Sequence, residues 1–159
     1  MVVGSWHLTR RRGLLSSASV TLPLAAHAAC PVVVVPEPEP VVERPPYVVV
    51  GADGSPHATA AVDLAVEEAD LRGAGVLALY VWHPPLLGAP DERAAADGCR
   101  RVLAETVAGR TAAHPDGELR HEVVRGHPVR ALARASEHAL ALVVGTRGHG
   151  GSPACCSAR

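Results

Sequence analysis

The sequence predicts an α/β fold with an open parallel sheet of the Rossmann-like type. Short continuous apolar runs without alternation, YVVVGA at 47–52 and GVLALYVW at 75–82, are typical of parallel strands that are covered on both faces. Helical patterns separate such runs, and strands alternating with helices form parallel sheets through right-handed crossovers. The composition is that of a globular chain, since 48% of its residues are hydrophobic and 19% are charged.

The first strand and helix of this pattern lie between Tyr47 and Gly73. The strand 47–52 is followed by the turn Asp-Gly-Ser-Pro. Ser55 is a suitable N-cap, and Pro56 fits the first helical position. Apolar residues then recur at helical spacing until Gly73 provides a stop signal.

The elements that follow continue the same alternation. After the strand 75–82, which ends in a loop at His83, we expect a helix over about 91–113 and a less buried or edge strand over 117–126. A helix over 128–138 and a buried strand over 139–145 come next. The predicted order is therefore β-α-β-α-β-α-β. Because Phe is absent, the core must consist of Val, Leu and Ala.

Charge and composition argue against several classes of partner. A formal net charge of −1 provides no general electrostatic footprint for nucleic acid. No apolar run approaches the ~20 residues that span a bilayer, so no membrane partner is predicted. The cysteines, Cys30, Cys99, Cys155 and Cys156, lack C-x-x-C spacing, and the histidines lack H-E-x-x-H spacing. We expect free thiols in a reducing cytoplasm and no metal site built by protein ligands alone.

The N-terminus allows a competing interpretation. Residues 9–30 contain three arginines, a moderately apolar stretch and Ala26-His27-Ala28, and so have the pattern of a secretory signal. Removal of residues 1–28 would make the protein an exported one. The flanking segments MVVGS at 1–5 and CPVVVV at 30–35 instead have the pattern of short buried strands. Cytoplasmic localisation is the main prediction, and export is the alternative.

A glycine-rich loop, GTRGHGG at 145–151, directly follows the last predicted strand. Doubly wound sheets bind ligands at the carboxyl edge, where this loop lies. Glycine allows backbone N–H groups to turn toward a phosphate without an intervening Cβ. Arg147 and His149 add positive charge or hydrogen-bond donors. The alternative is a flexible turn without a ligand.

Asp53 ends the first strand at the same edge. A carboxylate there can accept hydrogen bonds from a ribose or adenine, or approach a magnesium ion. The alternative is that Asp53 caps its own turn with Gly54. An open 3-2-1-4-5 sheet places strand four beside strand one, so Asp53 and the glycine-rich loop converge on one crevice.

Two long segments resemble a known family. The segments are VVVGADGSPHATAAVDLAVEEADLRGAGVLALYVW at 48–82 and VVRGHPVRALARASEHALALVVGTRGHGG at 123–151. They resemble a universal stress protein domain in both order and spacing, over roughly residues 46–152. The resemblance implies strand order 3-2-1-4-5 and binding of ATP or a related adenine nucleotide in a stress response.

The resemblance also assigns binding residues. Asp53 and the backbone near Val81 are expected to contact adenosine. The glycine-rich loop is expected to hold phosphates through Gly145, Arg147, Gly148, His149 and Gly150. ATP or AMP, with Mg²⁺, is the implied cofactor.

The resemblance divides the chain. Residues 13–35 are similar to the family's last helix and fifth strand, so residues 1–36 are interpreted as the C-terminal remnant of a first repeat in a tandem pair. Residues 37–46 form a Pro-rich linker, and residues 47–152 form a domain lacking its last helix and strand. Residues 153–159 are a tail.

Departures from the family pattern weaken the nucleotide assignment. Nucleotide-binding members use Gly-x-x-Gly, nine residues, then Gly followed by Ser or Thr. Gly145 and Gly148 satisfy the first half, whereas Ala158 and Arg159 occupy the second. Because this phosphate motif is incomplete, the alternative is that no nucleotide is bound. If residues 13–35 complete the sheet, in the same chain or swapped between two chains of a homodimer, Ser19 approaches the glycine-rich loop and partly restores the motif.

No nucleophile with an adjacent base is recognisable, so no catalytic residue is assigned, and at most weak ATP hydrolysis is expected. The alternative function belongs to a different class. A non-nucleotide interaction module, or a degenerate fragment, would assemble through its fifth strand.

Overall fold

The computed structural model describes residues 1–5, 21–36, 42, 45–83, 92–110 and 118–147. The chain divides into two compact units, Met1–Val41 and Val42–Arg159. Each unit contains a sheet of its own.

The smaller unit is a strand, a helix and a strand. β1 (Val2–Ser5) pairs in parallel with β2 (Val33–Pro36), and α1 (Thr21–His27) lies between them in the chain. The amide of Val33 donates to the carbonyl of Met1 at 2.8 Å, which extends the pairing by one residue. A helix and a strand are thus present within the segment that resembles the family's last helix and strand, and the remnant of a first repeat stays a prediction.

The pairing of β2 corrects one expectation. Residues 13–35 were expected to complete the larger sheet, and in this chain β2 belongs to the two-stranded sheet with β1. Within the smaller unit, β2 is matched by β1 in register along its whole length, from Val2 opposite Val33 to Ser5 opposite Pro36. Exchange of this strand between two chains stays a prediction.

The larger unit alternates strands and helices. Its elements are β3 (Tyr47–Gly51), α2 (Pro56–Arg72), β4 (Gly75–Trp82), α3 (Glu92–Val107), β5 (Leu119–Arg125), α4 (Pro128–Ala135) and β6 (Ala141–Val143). The strands form one sheet in the order β5-β4-β3-β6, with every neighbouring pair parallel. The predicted α/β fold with a parallel sheet is confirmed. If β3 is counted as the first strand, the order is 3-2-1-4. The place of a fifth strand stays a prediction.

Both faces of the sheet are covered by helices. On one face, Val48 and Val50 of β3 pack in a core with Val62 of α2 and Leu103 of α3. On the other face, Val49 of β3 is buried in a cluster that includes Leu132 of α4. The alternation of Val48, Val49 and Val50 between two covered faces explains why this strand is apolar at every position.

Several boundaries differ from the prediction. α2 has the predicted N-cap at Ser55 and ends at Gly73, whose φ is 59°. α3 was expected to reach about residue 113 but ends at Val107, and Gly109 follows with a φ of 81°, a left-handed conformation that interrupts a helix. α4 ends at Ala135, earlier than the predicted residue 138.

Replacing Leu103 with Ala tests the packing of α3 on the sheet. Leu103 is 0% exposed, so Leu103→Ala should lower the free energy of unfolding by about 2–5 kcal/mol through lost burial and a cavity. The same change at Leu71, which is 80% exposed on α2, should have a much smaller effect. Urea unfolding measures both values. Equal losses would contradict the described position of α3.

Candidate functional site

The turn after β3 is held by two short hydrogen bonds. The amide of Ser55 donates to Oδ1 of the half-buried Asp53 at 2.9 Å, and the amide of Ala58 donates to the Ser55 hydroxyl at 3.1 Å. Asp53 therefore stabilises its own turn, as one of the two interpretations anticipated, with Ser55 as its partner. An ionised carboxylate has two oxygens and can accept further hydrogen bonds. The turn thus fixes the position of the carboxylate at the carboxyl edge of the sheet.

Gly54 has a special role in this turn. Its φ is 79°, and a Cβ there would lie 2.4 Å from Cγ1 of Val102 in α3. Both the left-handed backbone and the close side chain therefore require glycine. Val102 of α3 therefore packs closely against this turn at Gly54.

Gly145 lies against the first turn of α2. A Cβ at Gly145 would be 3.0 Å from both the carbonyl carbon and the carbonyl oxygen of His57. The chain leaving β6 therefore passes the N-terminus of α2, where the helix dipole favours an anion. Since β3 and β6 are parallel neighbours, Asp53 and Gly145 follow adjacent strand ends.

The other predicted binding residues are placed as follows. Val81 is half-buried in β4 and pairs with Val124 of β5 near the same edge. Arg147 is exposed and makes no hydrogen bond or ion pair with another described residue. Ser19, Gly148, His149 and Gly150 lie outside the described residues, so their predicted roles remain predictions.

Two histidines at this edge, to which the sequence analysis assigned no binding role, are brought together by the structure. His83 follows β4 and His127 follows β5, and their rings lie 6.2 Å apart in an edge-to-face arrangement. Beside them, the Arg125 guanidinium lies 5.6 Å from the Trp82 ring and is held by Glu92 of α3 at 3.0 Å. His83 directly follows β4, and His127 follows β5 after Gly126, and these positions after strands were the signal available in the sequence.

Neither a metal cluster nor a membrane helix is found where the structure describes the chain. Across those residues, no group of three or more His, Cys, Asp or Glu side chains is placed to hold a metal ion. None of the helices there is long and apolar enough to cross a membrane.

A family model assigns the larger unit. The model of the universal stress protein family matches residues 47–153, more than half of the chain. The chain belongs to the universal stress protein family. The resemblance read from the Asp-Gly-Ser-Pro turn and the glycine-rich loop is thereby confirmed.

Related universal stress proteins match beyond this domain. One from Mycobacterium tuberculosis is 36% identical over an alignment of 159 residues. The alignment covers 95% of this chain and 52% of the relative. One from Mycobacterium bovis is 38% identical over 157 residues, 91% of this chain and 49% of the relative. The chain thus spans about half the length of these curated relatives.

Solved universal stress protein structures share the fold. A universal stress protein in complex with cAMP is 28% identical, with a TM-score of 0.50 over 62% of this chain and 75% of that one. A universal stress protein from Archaeoglobus fulgidus has a TM-score of 0.58 at 20% identity, over 86% of this chain and 44% of that one. The second likeness concerns the fold alone.

Adding a methyl group at Gly145 tests the contact with α2. Because the new Cβ would be 3.0 Å from the His57 backbone, Gly145→Ala should displace the loop and cost on the order of 1–3 kcal/mol of stability. Amide NMR shifts should change at His57 and its neighbours. Gly73→Ala, at the other end of α2, is the control for the shifts at His57 alone, because its φ of 59° makes that substitution cost stability as well. Unchanged shifts at His57 in Gly145→Ala would contradict the described contact.

Proposed function

We propose that the domain binds an adenine nucleotide, ATP or AMP, at the carboxyl edge between β3 and β6, in a stress response. The observation that carries the proposal is the packing of Gly145 against His57 at the N-terminus of α2. This packing brings the chain after β6 beside the Asp53 turn. A universal stress protein of similar fold in complex with cAMP supports the same class of ligand.

The residues at this edge fit the two polar parts of a nucleotide. The Asp53 carboxylate, held by the Ser55 amide at 2.9 Å, is oriented to accept hydrogen bonds from ribose hydroxyls or the adenine amino group. The N-terminus of α2 and the exposed Arg147 provide donors and positive charge for phosphates. The backbone near Val81, in the neighbouring strand β4, is proposed to contact adenosine.

The remaining parts of the proposal rest on the family resemblance. Gly148, His149 and Gly150 are proposed to hold phosphates, and Ser19 to approach them from a second chain. Mg²⁺ is proposed to accompany the nucleotide through the phosphates, with no ligand assigned among the described residues. Cytoplasmic localisation and a tandem arrangement of two repeats also belong to this proposal.

Replacing Asp53 with Asn tests the nucleotide site. Asn keeps an oxygen that can accept the Ser55 hydrogen bond, but it loses the negative charge, so Asp53→Asn should weaken AMP and ATP binding about tenfold, equivalent to ~1.4 kcal/mol. Isothermal titration calorimetry measures the dissociation constants. Asp70→Asn, in the last turn of α2, removes the same charge at the opposite end of the helix and should leave binding unchanged.

Two results of this titration would refute the proposal. One is a folded wild-type protein that binds neither AMP nor ATP at millimolar concentration. The other is an equal loss of affinity in the Asp53 and Asp70 variants, because it would show that the effect is one of net charge and not of position.

Self-association through β2 is a second candidate function. Val33, Val34 and Val35 are consecutive exposed valines in β2, and exposed apolar strands tend to recruit a partner strand. A second copy of this chain supplies such a strand. This arrangement requires no nucleotide, so it stands if the nucleotide site fails.

Placing a charge on β2 tests self-association. The wild-type protein should sediment as a dimer at micromolar concentration, and Val35→Lys should shift it to monomer, because a lysine at a strand contact opposes edge pairing. Leu71→Lys, at a more exposed position on α2, is the control and should stay dimeric. A monomeric wild-type protein in analytical ultracentrifugation would exclude this candidate.

A further inference from the structure

A cavity of about 820 Å³ lies on the face of the larger sheet that α4 covers. Its floor consists of side chains from β4 and β5, and one wall is α4. None of the residues at the proposed nucleotide edge, Asp53, Val81, Gly145 or Arg147, lines it. The cavity therefore does not include the residues proposed to contact nucleotide, although Arg125 and His127, at the carboxyl end of β5, line part of it.

The floor of the cavity is apolar. Leu77 and Leu79 of β4 lie beside Val124 of β5, and all of them point to the face that packs against α4. Leu79 is buried, whereas Leu77 and Val124 are half-buried and present apolar surface to the cavity. A ligand with a hydrocarbon body gains free energy by covering this surface.

The α4 wall carries two arginines one helical turn apart. Arg130 and Arg134 are exposed and line the cavity, and their guanidinium groups make no hydrogen bond or ion pair with another described residue. Like charges at positions i and i+4 of a helix repel each other. An anion between the two guanidinium groups would relieve this repulsion and accept charge-assisted hydrogen bonds from both.

The other charged groups leave the cavity positive. Arg120 is paired with Glu118 at 2.7 Å, and Arg125 is paired with Glu92 at 3.0 Å. Four arginines and two glutamates, Glu118 and Glu122, line the cavity, so the formal charge of its lining is +2 with His127 neutral. Glu92 neutralises Arg125 from outside the lining, and Glu122 offsets one of the two α4 arginines, so a net charge of +1 remains, contributed by α4.

We propose that this cavity binds a small amphipathic anion. A single phosphate or carboxylate head lies between Arg130 and Arg134, and an alkyl or aromatic body covers Leu77, Leu79 and Val124. The volume of about 820 Å³ lies within the ~300–1,000 Å³ typical of small-molecule sites. The proposal does not depend on nucleotide binding at the carboxyl edge.

Octyl phosphate is a suitable probe, with octanol and inorganic phosphate as its separate halves. Calorimetry should show octyl phosphate binding at least tenfold more tightly than either half. Amide NMR shifts should change along β4 and β5 at Leu77 and Val124. ATP at saturating concentration should leave this binding unchanged, because the two sites are separate.

Variants of the α4 wall separate charge from shape. Arg130→Gln combined with Arg134→Gln should weaken octyl phosphate binding about tenfold or more, since both head-group donors lose their charge. Ala131→Trp, which keeps both arginines and fills the space between them and the floor, should also abolish binding. Arg72→Gln combined with Arg100→Gln removes the same charge from exposed positions on α2 and α3, and should bind like the wild type. Circular dichroism confirms that each variant is folded.

Each of four results would overturn the proposal. The first is that the wild type does not bind octyl phosphate at millimolar concentration, and the second is that it binds octanol with the same affinity. The third is that the control double variant loses as much affinity for octyl phosphate as the α4 double variant. The fourth is that ATP displaces octyl phosphate. The last result would place the ligand at the carboxyl edge instead of in the cavity.

Discussion

The parallel pairing of β3 with both β4 and β6 is the constraint on which the larger unit depends. β3 is the central strand, and its Val48, Val49 and Val50 are fully buried between two helical layers. Because its neighbours run in the same direction, the turns after β3, β4 and β6 all emerge at one edge. The position of Asp53 relative to Gly145 follows from this pairing.

Two glycines at this edge allow neighbouring segments to pack closely. Gly54 allows the Asp53 turn to pack on Val102, and Gly145 allows the chain after β6 to pass close to His57. In both cases the nearest neighbour is a protein atom. These two glycines therefore serve the packing of the edge.

Local signals in the sequence predicted much of the fold. Ser55, Pro56 and Gly73 predicted the bounds of α2, because capping depends on residues that are adjacent in the chain. The end of α3 at Val107 was missed, since Gly109 and the turn after it were read as part of the helix. The partner of β2 was also assigned wrongly, because strand pairing depends on residues far apart in sequence and both candidate partners had the same apolar pattern.

The sequence indicated the carboxyl edge but not the cavity under α4. Asp53 and Gly145 follow apolar runs directly, so their placement required only the order of the strands. The cavity is lined by Leu77 and Val124 of neighbouring strands and by Arg130 of α4. These residues lie around one cavity because of the way the helix packs on the sheet. The contact between His83 and His127 could not be predicted from the sequence either, because no local pattern specifies that two side chains on separate loops will meet.

The pairing of β3 with β6 also determines when the larger unit can form during synthesis. Val50 pairs with Val143, and translation of the ~90 residues between them takes roughly 5–20 s at ~5–20 residues per second. During that interval the side of β3 that β6 later occupies is unprotected on the ribosome, while β4 is already available to its other side. The nascent chain therefore passes through a stage with an apolar, half-paired central strand, which is the stage at which a chaperone would bind it.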